Sequence, residues 1–199
     1  GWEIMLTASF WSQMGIGLLE TLYMTLVSSV IAYVIGLPLG VLLVATDRNG
    51  LVPRPALNKA LNVAVNLLRS VPFLILMIAV VPLSRFIFGT TLGSTATIVP
   101  LVIGASPFVG RVVESSLREV SPGVVEAAVS MGASPWQIIK KVLLPESLPS
   151  LIIGAALSVT TILGYSALAG MLGGGGLGAL AINYGYYRYM MDYMYIPLI

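Results

Sequence analysis

With 199 residues, of which 57% are hydrophobic and 9% charged, and a mean hydropathy of +0.96, the chain is no water-soluble domain, where about 25% charged residues is usual. A net charge of +2 is too small to point to nucleic acid. Cysteine and histidine are both absent, which excludes disulfides, thiol nucleophiles, imidazole bases and the usual zinc sites.

The chain starts at Gly1 and lacks the basic start and short apolar core of a cleavable signal peptide. Residues 1–19 are weakly patterned, and Trp2 and Trp11 suit a membrane–water interface. No charge interrupts 21–46, which predicts a first spanning helix. Gly36 and Gly40, with Pro38 between them, have the spacing of close helix approach at a moving interface, or of a plain kinked helix. Arg48, Arg54 and Lys59 make the following loop basic. A second span is predicted over 60–83, interrupted by Asn62, Asn66 and Arg69-Ser70-Val71-Pro72. Arg69 is a functional candidate by its depth in the span, or snorkels to the cytoplasmic side; Pro72 predicts a kink. A third span is predicted over 95–110, bent by Pro100 and Pro107. Arg111, Glu114, Arg118 and Glu119 follow, with Glu114 and Arg118 four apart. They read as a solvated helix face.

The polar island over 121–145 predicts two short amphipathic helices joined at a bend. Ser121 is the expected cap and Pro122 the first helical position. Val124, Val125, Ala128 and Met131 recur at helical spacing, and Gly132 is the expected left-handed stop and a point of close backbone approach. Ser134 with Gln137 reads as a capping box, and Pro145 is expected to end the second helix. From Ser147 to Tyr187 there is again no charge. The run Gly173-Gly174-Gly175-Gly176-Leu177-Gly178 divides it, giving a fourth span over 148–172, then a loop rich in tyrosine (Tyr184, Tyr186, Tyr187, Tyr189). A fifth span opens near Tyr193 and stops with Ile199, so the chain reads as a fragment.

Orientation follows from the basic residues. The loops after spans one and three share a side and hold Arg48, Arg54, Lys59, Arg111, Arg118, Lys140 and Lys141, seven of ten. The positive-inside rule puts 121–145 in the cytoplasm, and the amino end and the glycine run outside. Acidic residues cluster in or beside loops, which disfavours an ion-coupled secondary transporter. A membrane enzyme is weaker still, since no nucleophile–base or metal cluster is present. The glycine run lacks the lysine of a phosphate loop, which leaves a flexible turn or a docking loop.

Glu126-Ala127-Ala128, Gly132, Val142 and Leu144-Pro145 keep the spacing of the signature loop of bacterial ABC-importer permeases, with valine where isoleucine is usual. Glu20-Thr21-Leu22, Arg69-Ser70-Val71-Pro72-Phe73, Gly104-Ala105-Ser106-Pro107-Phe108, Gly164-Tyr165-Ser166-Ala167 and Gly173 to Gly178 with Tyr184-Gly185-Tyr186 extend the resemblance over roughly 17–190, and with them the chain resembles the D/L-methionine ABC importer permeases. The resemblance implies an all-α polytopic membrane protein of the bacterial inner membrane, with five spans, the fifth truncated here, and cytoplasmic coupling helices. It implies a homodimer over two ATPase subunits that bind ATP and Mg, no catalytic or metal residue in this chain, and an external methionine-binding lipoprotein. Glu126, Ala127, Ala128, Gly132, Val142, Leu144 and Pro145 are then the ATPase-coupling residues. Gly173, Gly174, Gly175, Gly176 and Gly178 form the docking loop. Arg69, Tyr165, Ser166 and Met171 are candidates for the translocation path. The nearest alternatives are sibling importers for glycine betaine, phosphonates or polar amino acids.

Overall fold

A computed structural model describes residues 7–199; the expected interfacial position of Trp2 lies outside them. Every regular element among the described residues is helical. Helix α1 (Ala8–Ala45) runs for 38 residues with Pro38 inside it. At 1.5 Å per residue it is about 57 Å long, against roughly 30 Å of bilayer hydrocarbon. It starts well ahead of the span expected at 21–46, so Glu20 lies within the helix. The extension lacks amphipathic period because a helix wetted by lipid needs no polar face. Leu19 and Val34, each 68% exposed, are of this kind.

The span expected over 60–83 is two helices, α2 (Pro55–Ser70) and α3 (Phe73–Phe88), with a sharp break between them. Val71 is extended (φ −78, ψ 126) because proline disfavours a helical residue before it and supplies no N–H. Helix α4 (Ser94–Arg118) contains the third expected span and carries straight on through its charged end. Three short segments follow: α5 (Pro122–Ser130), α6 (Pro135–Ile138), which widens into a π-turn over Ile139–Leu143, and α7 (Leu144–Glu146). Helix α8 (Leu148–Ala169) leads through a tight turn (Gly170–Leu172) to α9 (Gly176–Leu180), which continues as a π-turn over Ala181–Tyr186. Helix α10 (Met191–Tyr195) and a turn at Ile196–Leu198 occupy the place of the fifth span's opening. Ala8–Ala45, Ser94–Arg118 and Leu148–Tyr186 are long and apolar enough to cross a membrane, and α2 and α3 meet the same test only when taken together across their bend.

The chain divides into two compact units. One takes residues up to Val30, Pro72–Gly104 and Val159–Ile199. Its core includes Phe10, Met14 and Tyr193, packed by Leu177, Leu180, Tyr184 and Ile196. The other takes Ile31–Val71 and Ala105–Ser158, and buries Leu43, Val109, Val113, Leu117, Ile138 and Leu143. In it, Gly36 and Gly40 let α1 meet α4. A Cβ at Gly36 would lie 2.5 Å from Val109, and one at Gly40 2.6 Å from Val113. The Gly-x-x-x-Gly pattern therefore marks a close helix approach inside this chain.

Candidate functional sites

The polar island folds as two short helices at a bend, with capping that differs in part from expectation. The Ser121 side chain makes no cap bond, although Pro122 does open α5. Gly132 has φ +79, and its N–H donates to the Val129 carbonyl at 2.9 Å. Nothing in this chain lies within 4 Å of where its Cβ would stand, so the backbone angle, and no crowding by this chain, calls for glycine. Ser134 forms the capping box: its N–H donates to Gln137 Oε1 at 2.8 Å, and its Oγ accepts from the Gln137 N–H at 3.3 Å. Pro145 does not end the helical path, which runs on to Glu146. The π-turn leads into it, with the Leu144 N–H bonded five residues back to Ile139, and Pro145 stands in the first turn of α7, where proline is tolerated.

The expected apolar stripe is not an internal one. Of Val124, Val125, Ala128 and Met131 only Ala128 is buried, and Met131 is 81% exposed. Val124, Val129 and Trp136 are exposed as well, as are Glu126, Ala127 and Pro145, while Val142 and Leu144 are half-buried. Apolar side chains thus stand exposed on an otherwise polar segment. Glu126 also borders a cleft of about 520 Å³ shared with Asp47, Asn49, Arg118 and Leu143.

Glu114 is no member of a solvated face. It is buried and accepts from Arg111 Nη1 at 2.6 Å and from Arg118 Nη2 at 2.9 Å. Arg118 reaches on to Asp47 at 2.9 Å, and Arg111 donates to Asn66 Oδ1 at 2.8 Å. The network thus joins α4 to α2 and to the turn after α1. The Arg118 guanidinium, helped by the Arg48 N–H, holds the Asp47 carboxyl below the usual carboxylate range. Asn58 closes the end of α1, donating to the Leu43 carbonyl at 2.8 Å and to Thr46 Oγ1 at 3.1 Å. Of the polar residues that seem to interrupt the second span, Asn66 is a partner of α4, while Asn62 donates to Asn58 within α2.

In the other unit the glycine run is neither loose nor open. Gly174 and Gly176 are buried, and Gly173, Gly175 and Gly178 are half-buried. Gly173, Gly175 and Gly176 have positive φ. The Gly93 N–H donates to the Gly173 carbonyl at 2.9 Å, and the Gly176 N–H to Glu20 Oε2 at 2.7 Å. The tyrosines beyond it are partly helical, since Tyr184 and Tyr186 lie in the π-turn. Tyr184 stacks on Tyr193 at 4.8 Å under the Arg188 guanidinium, while Tyr186, Tyr187 and Tyr189 are exposed.

The four path candidates fall in both units. Arg69, exposed in the last turn of α2, belongs to the unit with the coupling helices, whereas Tyr165, Ser166 and Met171 belong to the other. Tyr165 stacks on Phe73 with centroids 4.2 Å apart and planes at 4°, and Gly104 makes room for that ring. Ser166 is buried and donates to the Leu163 carbonyl at 2.7 Å. Met171 is 48% exposed. Among the described residues no group of three or more acidic side chains could hold a metal ion.

Sequence reasoning missed Glu20, Asp47, Asn66 and Thr97. The one available signal was Glu20, the only charge in 8–45. Because Glu20 lies inside α1, it departs from the pattern of acidic residues in or beside loops, and its carboxylate is bonded to backbone.

The model of the family described as binding-protein-dependent transport system inner membrane component matches residues 34–199. A probable D-methionine transport system permease protein MetI of Vibrio cholerae is 51% identical over 180 residues, covering 90% of this chain and 80% of the relative. The corresponding protein of Pasteurella multocida is 47% identical over 194 residues, covering 98% and 89%. A chain in the solved inward-facing conformations of the MetNI methionine ABC transporter superposes with a TM-score of 0.95 at 43% identity, covering 97% of this chain and 89% of that one. The all-helical architecture is therefore the ABC permease fold, and the chain belongs to the inner membrane components of binding-protein-dependent transport systems.

Proposed function

We propose that the chain is the permease subunit of an ATP-driven importer that moves methionine into the cytoplasm. It works as a homodimer on two ATPase subunits, which bind ATP and Mg, and receives methionine from an external binding lipoprotein. A second copy suits a chain with few spans, because two-fold symmetry matches one coupling segment to one ATPase subunit. The chain itself carries no catalytic residue. What supports the methionine reading most directly is its likeness, over nearly the whole chain, to the permease of a methionine transporter.

The coupling segment faces the cytoplasm and the amino end faces out. Exposed Val124, Val129, Met131 and Trp136 give an ATPase subunit an apolar surface to grip, and Lys140 and Lys141 border it. Glu126 offers a charged anchor, while Ala127 and Ala128 keep the seat shallow. Gly132 sets the bend between the two helices; Val142, Leu144 and Pro145 carry the push into α8. Closure of the ATPase pair on ATP rocks the spans between outward- and inward-facing states. On the outer side the binding protein docks over Gly173, Gly174, Gly175, Gly176 and Gly178. As these glycines are partly or wholly buried, contact falls also on the exposed tyrosines beside them. Arg69, Tyr165, Ser166 and Met171 are the path candidates, with Tyr165 favoured, because a half-buried aromatic stack suits a thioether.

Uptake of labelled L-methionine tests the reading, in cells lacking their own importer and carrying the complete gene with its ATPase and binding-protein genes. Uptake is expected to be suppressed by unlabelled methionine, not by betaine, and to vanish with a nucleotide-dead ATPase. Uptake of a different solute only would overturn the substrate. Uptake indifferent to the ATPase would overturn the coupling role.

A further inference from the structure

Glu20 is the only charged residue of α1, and neither the coupling segment nor the path uses it. A carboxylate in an apolar helix calls for a partner. Here the partner is backbone. Glu20 Oε2 accepts the Gly176 N–H at 2.7 Å, and Oγ1 of the adjoining Thr21 accepts the Leu177 N–H at 2.9 Å. These donors open the helical stretch Gly176–Tyr186, where no carbonyl of that stretch can reach them. The carboxylate therefore meets the positive end of the stretch it caps.

The opposite side of the run is held as well. The Gly93 N–H donates to the Gly173 carbonyl at 2.9 Å, and the Thr97 hydroxyl lies 2.9 Å from the Gly93 carbonyl and 3.4 Å from that of Gly174. The clamp leaves no room for side chains. A Cβ at Gly175 would stand 2.9 Å from Glu20 Oε2, one at Gly176 2.7 Å from Thr21 Oγ1, and one at Gly174 2.7 Å from Thr97 Oγ1. Glycines make a chain freer than any other residue, yet these are tied to α1 on one side and to the start of α4 on the other. Glu20 and Thr21 also precede the residues matched by the family model.

We propose that Glu20 and Thr21 are positioning residues of the transport cycle, a carboxylate–hydroxyl clamp that makes the glycine run and the helical stretch behind it move with α1 as one body. The proposal rests on the permease reading above. Without the clamp, a push arriving at α8 is lost as local motion in the glycines.

The test compares Glu20→Ala, Glu20→Gln and Thr21→Val in the complete permease assembled with its ATPase in lipid, with three measurements: amide hydrogen exchange over 173–178, solute uptake and ATPase rate. Losing a charged acceptor is expected to speed exchange of the run and lower uptake in Glu20→Ala by about tenfold each, with the ATPase rate kept. Glu20→Gln, whose carboxamide oxygen still accepts, falls between it and the wild type. Unchanged exchange in Glu20→Ala overturns the clamp. Faster exchange with wild-type uptake overturns the positioning role and leaves a structural tie only. Should Glu20→Ala fail to assemble, Thr21→Val decides by the same two criteria. Exchange needs no substrate, so a wild type that ignores methionine but transports another solute overturns the methionine reading alone, and the clamp is then judged on that solute.

Discussion

The two units are held by polar ties of opposite construction. Around the coupling helices the ties run side chain to side chain: Glu114 between Arg111 and Arg118, with Asp47 and Asn66 at the ends. Around the glycine run they run side chain to backbone, from Glu20 and Thr21 to two N–H groups. The first kind demands particular charges on regular helices. The second demands that side chains be missing at the point of contact. Even their glycines differ, since Gly132 needs only its left-handed φ, while Gly176 needs that angle and the space.

The largest expected effect breaks the second kind of tie. Gly176→Ala forces a Cβ onto Thr21 Oγ1 and Met24 Cε in a left-handed backbone. It is expected to destabilise the permease by about 4 kcal/mol, read from denaturation in mixed micelles. Gly132→Ala bears the backbone strain alone, about 1–2 kcal/mol; equal losses at the two positions would erase the distinction. Next, Glu114→Gln takes the shared acceptor from two guanidiniums and is expected to cost about 3 kcal/mol in the same assay. A loss below roughly 0.5 kcal/mol would return Glu114 to a solvated face.

Trp136→Ala sharpens the contrast between internal ties and a partner surface. The side chain is 68% exposed, so permease stability should change by less than about 0.5 kcal/mol. Affinity for the ATPase subunit should fall about tenfold in a titration of the purified subunits. The smallest effect is at Asp47. Its folded-state pKa is lowered, first by the Arg118 hydrogen bond, so its contribution is full above the ordinary carboxylate value and fades as the pH falls through the lowered one. Because the pair is partly exposed, solvent screening keeps that contribution under about 1 kcal/mol. In Asp47→Asn this acid-side loss should disappear from the stability profile, and its persistence would remove Asp47 from the network.

Much of the fold was legible because lipid imposes a composition rule that short windows reveal. The uncharged run in 21–46 and the Ser134–Gln137 box are local signals, and each resides in a few adjacent residues. Boundaries were less legible. Helix α1 continues through Glu20 because one charge, met by a distant backbone donor, does not break a helix. The span over 60–83 splits because Pro72 and Val71 act on backbone angles that hydropathy ignores. At the coupling segment the helices could be read, but not which side was buried, since an exposed Met131 and a core methionine have the same spacing.

The sequence alone determined that this is a membrane-embedded helical chain with a polar, capped segment between apolar runs. Hydropathy, proline positions and capping act over fewer than about 20 residues. Only the tertiary structure decided which polar residues tie distant segments within each unit. Glu20 and Gly176 stand 156 positions apart in the chain. Arg118 and Asp47 stand 71 apart. No periodicity links such pairs. Their meaning arises when folding brings a donor to an acceptor that is distant in the chain.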